Sequence, residues 1–352
     1  MLVERTMDMK KITFNWLKRT EFYIALVIMF LSLFIQVRSG MFFSGNNIID
    51  LLRALVVPGM FGLGTYIVII SGGFDVSFPT VAALSMYCTT SILESAGYTG
   101  SSLLAFCMGL VFGVVLGTIN GILVMTFRIP TLIITLGTTS IYNGILHGFL
   151  EAHEIGILPE PFQKLAGSVL LRTFDEKLQM YSELPTVFLM LIGLIVVVWF
   201  VMQKTSLGRY IFAIGGDISS AERIGIPINL ITVVVYAIAG GIAGLTGITR
   251  AVMMNTCHPN TFNGMDMTVI AAVILGGTRA SGGFGSITGV ILGTALFAIV
   301  NNSLQLMGVP NYWQKFFLGA LIIIGTGISA IQVMQKSGIH VARHNALKNG
   351  GK

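Results

Sequence analysis

The sequence predicts an all-α, polytopic integral membrane protein with about ten transmembrane helices and both termini on the cytoplasmic side. Three observations predict it. Hydrophobic residues make up 54% of the 352 positions and charged residues only 10%, against about 25% charged in ordinary soluble domains. The apolar residues fall into stretches of near membrane-spanning length, and a hydrocarbon core of about 30 Å needs roughly 20 of them per helix. Finally, the basic residues sort onto one face.

The candidate spans are 22–37, 51–70, 76–93, 102–127, 131–150, 185–203, 229–250, 264–277, 287–306 and 312–333. The first follows a basic segment, residues 1–21, but no small-residue cleavage site follows Ile35 to Met41, so it reads as a signal anchor. The second ends at Ser71-Gly72-Gly73, which adds no side-chain bulk, and Asp75 can accept backbone N–H bonds where the third begins. Pro79 falls in the first turn of that third span, where a missing N–H leaves no intrahelical bond unmade. Gly109, Gly113 and Gly117 in the fourth span, Gly240 and Gly244 in the seventh, and Gly289 and Gly293 in the ninth have the small-residue spacing of closely packed membrane helices.

The connection at about 151–184 carries Glu151, Glu154, Glu160, Asp175, Glu176 and Glu183 among apolar residues. It reads as an outer lid of one or two short interfacial helices, with acids solvated or offered to a partner's basic surface. The longest connection on the other face, about 204–228, holds Asp217 and Ser219, either of which can cap a short helix ending before Gly225 and Pro227. The N-terminus, the C-terminus and the connections on this face hold 14 of the 21 Lys and Arg residues, whereas Arg38, Arg53, Lys164, Arg172, Lys177, Arg250 and Lys315 lie on the opposite one. The net charge of +6 is therefore an orientation signal, and no nucleic-acid partner is expected. The partner that composition demands is the lipid bilayer.

Several functions are excluded by missing residues. There is no G-x-x-x-x-G-K-[ST] loop, no Ser/His/Asp or Cys/His arrangement, and no His-Glu-x-x-His. Cys88, Cys107 and Cys257 form no Cys-x-x-Cys, and the five histidines lack ligand spacing. No catalytic residue, metal site or bound cofactor is expected in this chain. Ion-driven carriers tend to hold several ionisable groups inside the membrane; here only Asp75, Asp266 and His147 lie near span ends. Energy is then expected from another subunit.

Five stretches carry a resemblance. They are Ser71-Gly72-Gly73-Phe74-Asp75-Val76-Ser77; Asn120-Gly121; Ile129-Pro130-Thr131 through Gly137-Thr138; Gly208 through Gly225; and Asp266 through Gly276-Gly277-Thr278 and Ser281-Gly282-Gly283-Phe284 to Asn301-Asn302. In this order, over about residues 50–330, the chain resembles the permease subunits of ATP-binding-cassette sugar importers, the ribose, xylose, galactoside and autoinducer-2 permease family. The resemblance implies a transmembrane permease domain over 22–333, a basic cytoplasmic tail over 334–352, and residence in a bacterial cytoplasmic (inner) membrane. It implies three partners: a cytoplasmic ATPase carrying ATP and Mg, an extracytoplasmic sugar-binding protein, and a second, identical or related permease subunit.

The resemblance also assigns roles. Gly208, Arg209, Gly215, Gly216, Asp217, Ser219, Ser220, Ala221, Glu222, Arg223 and Gly225 correspond to the coupling helix that contacts the ATPase. Ser71, Gly72, Gly73, Asp75 and Ser77 form a structural or gating turn. A path for a neutral, hydrated sugar needs hydroxyl-compatible groups and aromatic faces, which Asn120, Tyr142, Asn143, Asn301, Asn302, Gln305 and Trp313 offer; the same asparagines can instead bond helix to helix. Three departures stand out. Phe78-Pro79-Thr80 replaces the usual Val-Gly-Ser, Asp217 stands where Asn is commoner, and Ser219 replaces the leading Glu of the wider coupling motif. The alternatives are a self-standing secondary carrier or facilitator, and a membrane sensor or scaffold.

Two internal echoes disagree about duplication. Ser71-Gly72-Gly73-Phe74 returns as Ser281-Gly282-Gly283-Phe284 before spans that run the same way, whereas the Gly113 to Thr118 word returns as Gly289 to Thr294 in spans running oppositely.

Overall fold

The computed structural model describes residues 20–175 and 179–308, with scattered positions from 310 to 327. The N-terminal segment, most of the tenth candidate span and the basic tail lie outside the described residues.

The chain begins with α1 (Thr20–Ser39) and α2 (Gly45–Ile70), followed by an extended stretch and α3 (Phe78–Ser95). Next come α4 (Ser102–Phe127) and α5 (Thr131–Gly144), which runs on into a π turn at Ile145–Phe149. A short α6 (Glu160–Ala166) precedes a hairpin of β1 (Val169–Asp175) and β2 (Met180–Pro185). Then follow α7 (Phe188–Lys204), α8 (Ser206–Gly216), α9 (Ile218–Arg223), α10 (Ile228–Met254), α11 (Met265–Leu275) and α12 (Ile287–Leu306).

Helix α2 is the central mast, apolar on every side and almost continuously buried from Val56 to Ile70, as a helix enclosed by others must be. Helices α10, α12, α11 and α7 pack around it. On the far side of α10 lies α4, and their seam is built on glycine: a Cβ on Gly113 would overlap the Gly240 carbonyl, and one on Gly244 would overlap that of Gly109. Backbones this close gain dispersion contacts that larger side chains would prevent. The Gly289 and Gly293 pair does the same between α12 and α11, against Gly276 and Ala272. Both copies of the second echo thus serve close packing. Helix α1 stays at the edge with Met29, Phe30 and Val37 exposed, as lipid contact requires.

Among the described residues, four helices are long and apolar enough to cross a membrane alone, and α7 with α8, bent by 72° at Thr205, makes a fifth if taken as one span. Shorter or less apolar helices stand at the other described candidate spans. Nine of the ten coincide with helices, but α11, at 11 residues, is about 16 Å long, half a hydrocarbon core. Non-helical stretches, 255–264 and 276–286, flank it on either side. Buried Cys257 and Phe262 in one of them show irregular backbone enclosed by protein, the setting in which it is tolerated at membrane depth.

The lid is corrected. One helix forms where one or two were expected, and a hairpin follows it. Alternating cross-strand partners explain the hairpin: Phe174 rests on Tyr181 with ring centroids 4.7 Å apart, and Arg172 forms an ion pair with Glu183. Lys164 holds Glu160 at 2.6 Å, so two of the six acids are answered within the lid. Backbone bonds of 3.0 Å in both directions between Ile155 and Cys257 tie the lid to the α10–α11 connection.

Candidate functional site

The candidate residues gather toward the end of the bundle where α2 stops. Ser71 closes α2 with its hydroxyl donating to the Val68 carbonyl at 2.7 Å, and Gly72 turns the chain at φ 88°, a conformation open chiefly to glycine. Into this turn fits the second Ser-Gly-Gly-Phe. The Gly283 amide donates to the Ile70 carbonyl at 2.9 Å, with Gly282 and Gly283 at φ 86° and 71°. The end of α8 completes the junction: a Cβ on Gly215 would overlap the same Ile70 carbonyl, and one on Gly283 would press on the backbone of Gly216. The two echoed turns and the end of α8 therefore meet backbone on backbone.

Beyond Gly73 the chain runs non-helical through the mostly buried residues 74–77, and its polar groups are met by side chains from three helices. Phe74 N donates to Thr131 Oγ1 at 2.7 Å and Val76 N to Thr135 Oγ1 at 3.3 Å. Tyr236 Oη donates to the Phe74 carbonyl at 3.3 Å. Asp75 Oδ1 then accepts from Ser77 N at 2.7 Å and from Ser77 Oγ at 2.6 Å, an Asx turn that starts α3. Ser77 Oγ in turn accepts from Asn120 Nδ2 at 2.7 Å, and Asn120 Oδ1 accepts from Tyr142 Oη at 3.0 Å. Asp75, Ser77, Asn120 and Tyr142 are all buried. The sequence placed two of these residues in a gating turn and two on a path; the structure joins them in one chain of hydrogen bonds across α3, α4 and α5.

Thr131, Thr135 and Tyr236 were not singled out from sequence. The available signal was Thr131 and Thr135 at i, i+4 directly after Pro130, but a threonine in an apolar span more often bonds its own helix, as Thr118 does to the Val114 carbonyl.

Above Asp75 the seam between α2, α3 and α10 is shut. Phe61 packs against Phe78 at 4.9 Å and Phe262 at 5.3 Å between centroids. Below these rings a void lined by Thr65, Asp75 and Ala239 has room for about one water molecule, far too little for a monosaccharide.

The other path candidates lie elsewhere. Asn302 donates to Asn47 Oδ1 at 2.9 Å, bonding α12 to α2 about 22 Å along α12 from its start beside the glycine junction. Asn301 and Asn143 are half-buried and join neither network. Gln305 lies on α12 with its side chain outside the described residues. Trp313 makes an edge contact with Phe316, 5.6 Å between centroids.

The 204–228 connection is more ordered than the single short helix expected. Thr205 caps α8 by accepting from Gly208 N at 3.3 Å. Asp217, rather than Ser219, caps α9: Oδ1 accepts from Ser219 N at 3.2 Å and Ser219 Oγ at 2.8 Å, and Oδ2 accepts from Ser220 Oγ. The Ser220 and Ser219 hydroxyl bonds hold this carboxyl below the ordinary carboxylate range. Gly225 ends the unit at φ 82°. Ile218 and Ile224 stand exposed at the two ends of α9, and Arg209, Glu222 and Arg223 are exposed as well.

Broken helices enclosed by apolar spans, glycine seams and a capped helical arm beside them define a multi-pass membrane permease. The family model described as branched-chain amino acid transport system / permease component matches residues 47–325, and the chain belongs to that family. It is 28% identical over 317 residues to the ribose import permease protein RbsC of Escherichia coli K12, covering 88% of this chain and 92% of the relative. To the D-allose transport system permease protein AlsC of the same strain it is 30% identical, covering 90% and 92%. The autoinducer 2 import system permease protein LsrC of Photorhabdus luminescens is 27% identical, covering 85% and 87%. No solved structure matches the chain.

Proposed function

We propose that this chain is the translocating subunit of an ATP-driven importer for a monosaccharide or similar small polar solute. It works by alternating access, and ATP is hydrolysed with Mg on a separate cytoplasmic subunit. The glycine end faces the cytoplasm: Arg128, Lys204, Arg209, Arg223 and Arg279 cluster at or near it, as the positive-inside tendency requires. A second permease subunit completes the pore in the bacterial inner membrane, and an extracytoplasmic binding protein delivers the solute at the hairpin end.

The observation that carries this reading is the contact between the end of α8 and both Ser-Gly-Gly-Phe turns. Helix α9, with Ile218 and Ile224 exposed on a rigid cap, is the arm on which the ATPase pushes. Displacement passes through Asp217 to Gly215 and Gly216. Because these touch the backbone of Ile70 and Gly283 directly, no side chain can yield between the arm and the turns. Moving the Gly72 turn shifts Asp75 and so exchanges the Ser77, Asn120 and Tyr142 bonds, which must reorganise before the seam beneath Phe61 opens.

The test is uptake of labelled pentoses, hexoses and autoinducer-2 into proteoliposomes holding this chain with its ATPase and binding protein, beside Gly225→Arg. An arginine there meets open space but pays a left-handed backbone cost of about 1–2 kcal/mol, so the protein assembles while the docking surface changes. ATP-dependent uptake that disappears in the variant supports the proposal. Uptake indifferent to the ATPase assigns the chain to the self-standing carriers instead.

A further inference from the structure

Two arginines in the opposite half of the bundle have no role in this scheme. Arg53 lies on α2, two turns below its start, and Arg250 lies just before the last turn of α10. One Arg53 N–H donates to the Met253 carbonyl at 3.2 Å, which closes the C-terminal end of α10. That bond accounts for one guanidinium and leaves the second unexplained. Arg250 Nε is fully buried without a partner among the described residues, and Arg250 lies within reach of the Arg53 charge. No carboxylate answers either: the two ion pairs among the described residues are both in the lid, and Asp50, the acid nearest Arg53 along α2, accepts from Ser182 at 3.3 Å instead.

We propose that Arg53 and Arg250 form an anion site at the hairpin end of the seam between α2 and α10, and that its ligand is the carboxylate of a small acidic solute such as a sugar acid. Guanidinium forks match a carboxylate in two-point geometry, and two of them side by side are stabilised by an anion held between them. The hairpin favours a small molecule over a protein's side chain: Asn46 donates to the Met180 carbonyl at 3.1 Å and accepts from Thr173 at 2.6 Å, so β1 and β2 lie across the start of α2 above Arg53. That this anion is cargo rests on the importer reading; that it binds does not.

The experiment uses the purified full chain in nanodiscs without ATPase or binding protein, so failure of the importer reading leaves its outcome unaffected. Thermal unfolding is followed against D-glucuronate and against D-glucose, at low and high salt. Glucuronate is expected to raise the unfolding temperature in a saturable way, less at high salt, with glucose ineffective. Arg250→Gln and Arg53→Gln should each raise the half-saturating glucuronate concentration about tenfold or more, and Arg250→Lys, which keeps the charge without the fork, should fall between. Arg250→Lys also stands in should a glutamine variant fail to fold. No stabilisation of the unaltered protein, or equal stabilisation in every variant, overturns the proposal. A separate titration of the binding protein onto the same nanodiscs reads the rival: docking lost in variants of a chain that shows no glucuronate effect makes the site a protein contact and likewise overturns the proposal.

Discussion

The two ends of the bundle are held by different kinds of contact. At the glycine end, three chain segments meet through backbone atoms, with Gly283 donating to Ile70 and Gly215 pressed against the same carbonyl. At the hairpin end the joints are mostly made by side chains: Asn302 to Asn47, Asn46 to Met180, Thr173 to Asn46. Side-chain bonds can exchange partners when a rotamer turns, whereas a backbone contact moves only if the segment moves. The glycine end is thus suited to transmitting displacement, and the hairpin end to accommodating it.

Overpacking the junction should break this contrast most severely. Gly215→Val drives two methyl groups toward the Ile70 carbonyl and is expected to cost about 3 kcal/mol, the upper end for overpacking, and to abolish uptake; thermal unfolding with a transport assay checks both. An unchanged unfolding temperature would mean that the junction yields. Next comes Asn120→Ala, which removes two hydrogen bonds, to Ser77 and from Tyr142, and should cost about 2 kcal/mol, with Asn120→Asp recovering part of the loss. The matching change at the other end, Asn302→Ala, should cost about 0.6 kcal/mol, typical of a bond between membrane helices. Equal losses from Asn120→Ala and Asn302→Ala would erase the distinction between the two ends.

The smallest effect expected is one of pH. Asp217 is held below the ordinary carboxylate range by Ser220 and then Ser219. A carboxyl lowered in the folded state contributes stability above its unfolded pKa and loses it as the pH falls through its folded value. The α9 cap should therefore persist unchanged through neutral pH and open only at pH below the usual carboxylate range. Amide hydrogen exchange at Ser219 reads this directly; opening near neutrality would contradict the cap.

How much could be read beforehand follows from what each feature costs in lipid. Spans announce themselves because about 20 apolar residues are needed for each crossing, and α1, α2, α4 and α10 coincide with the stretches expected. The glycine seam between α4 and α10 was equally visible, since spacing alone shows which residues line one face. Helix α11 also lies where the 264–277 stretch was expected, ending at the Gly276-Gly277 turn. The hairpin was missed because Val169 to Phe174 is as apolar as an interfacial helix, and its register depends on partners in β2. The contact of Gly215 and Gly216 with the turns was not legible, because glycine permits flexibility as readily as close approach, and only the position of Ile70 decides between them. Asp75 with Ser77, and Asn120 with Tyr142, were assigned to separate tasks because bonds between residues 43 apart leave no local pattern. Arg53 and Arg250 entered only the orientation count, which ignores depth.

The bond from Gly283 to Ile70 also sets a schedule. Chains emerge at about 5–20 residues per second, so roughly 10–40 s separate synthesis of the two partners. For that interval the mast of the bundle is already made while its terminal carbonyl has no mate, and the Gly72 turn has nothing to lean on. The second Ser-Gly-Gly-Phe thus acts as a late latch, closed only after most of the protein has entered the bilayer. A chain truncated before it should retain most of its hydrophobic spans and still leave its lower end unfastened, which gives quality control a single place to recognise an unfinished molecule.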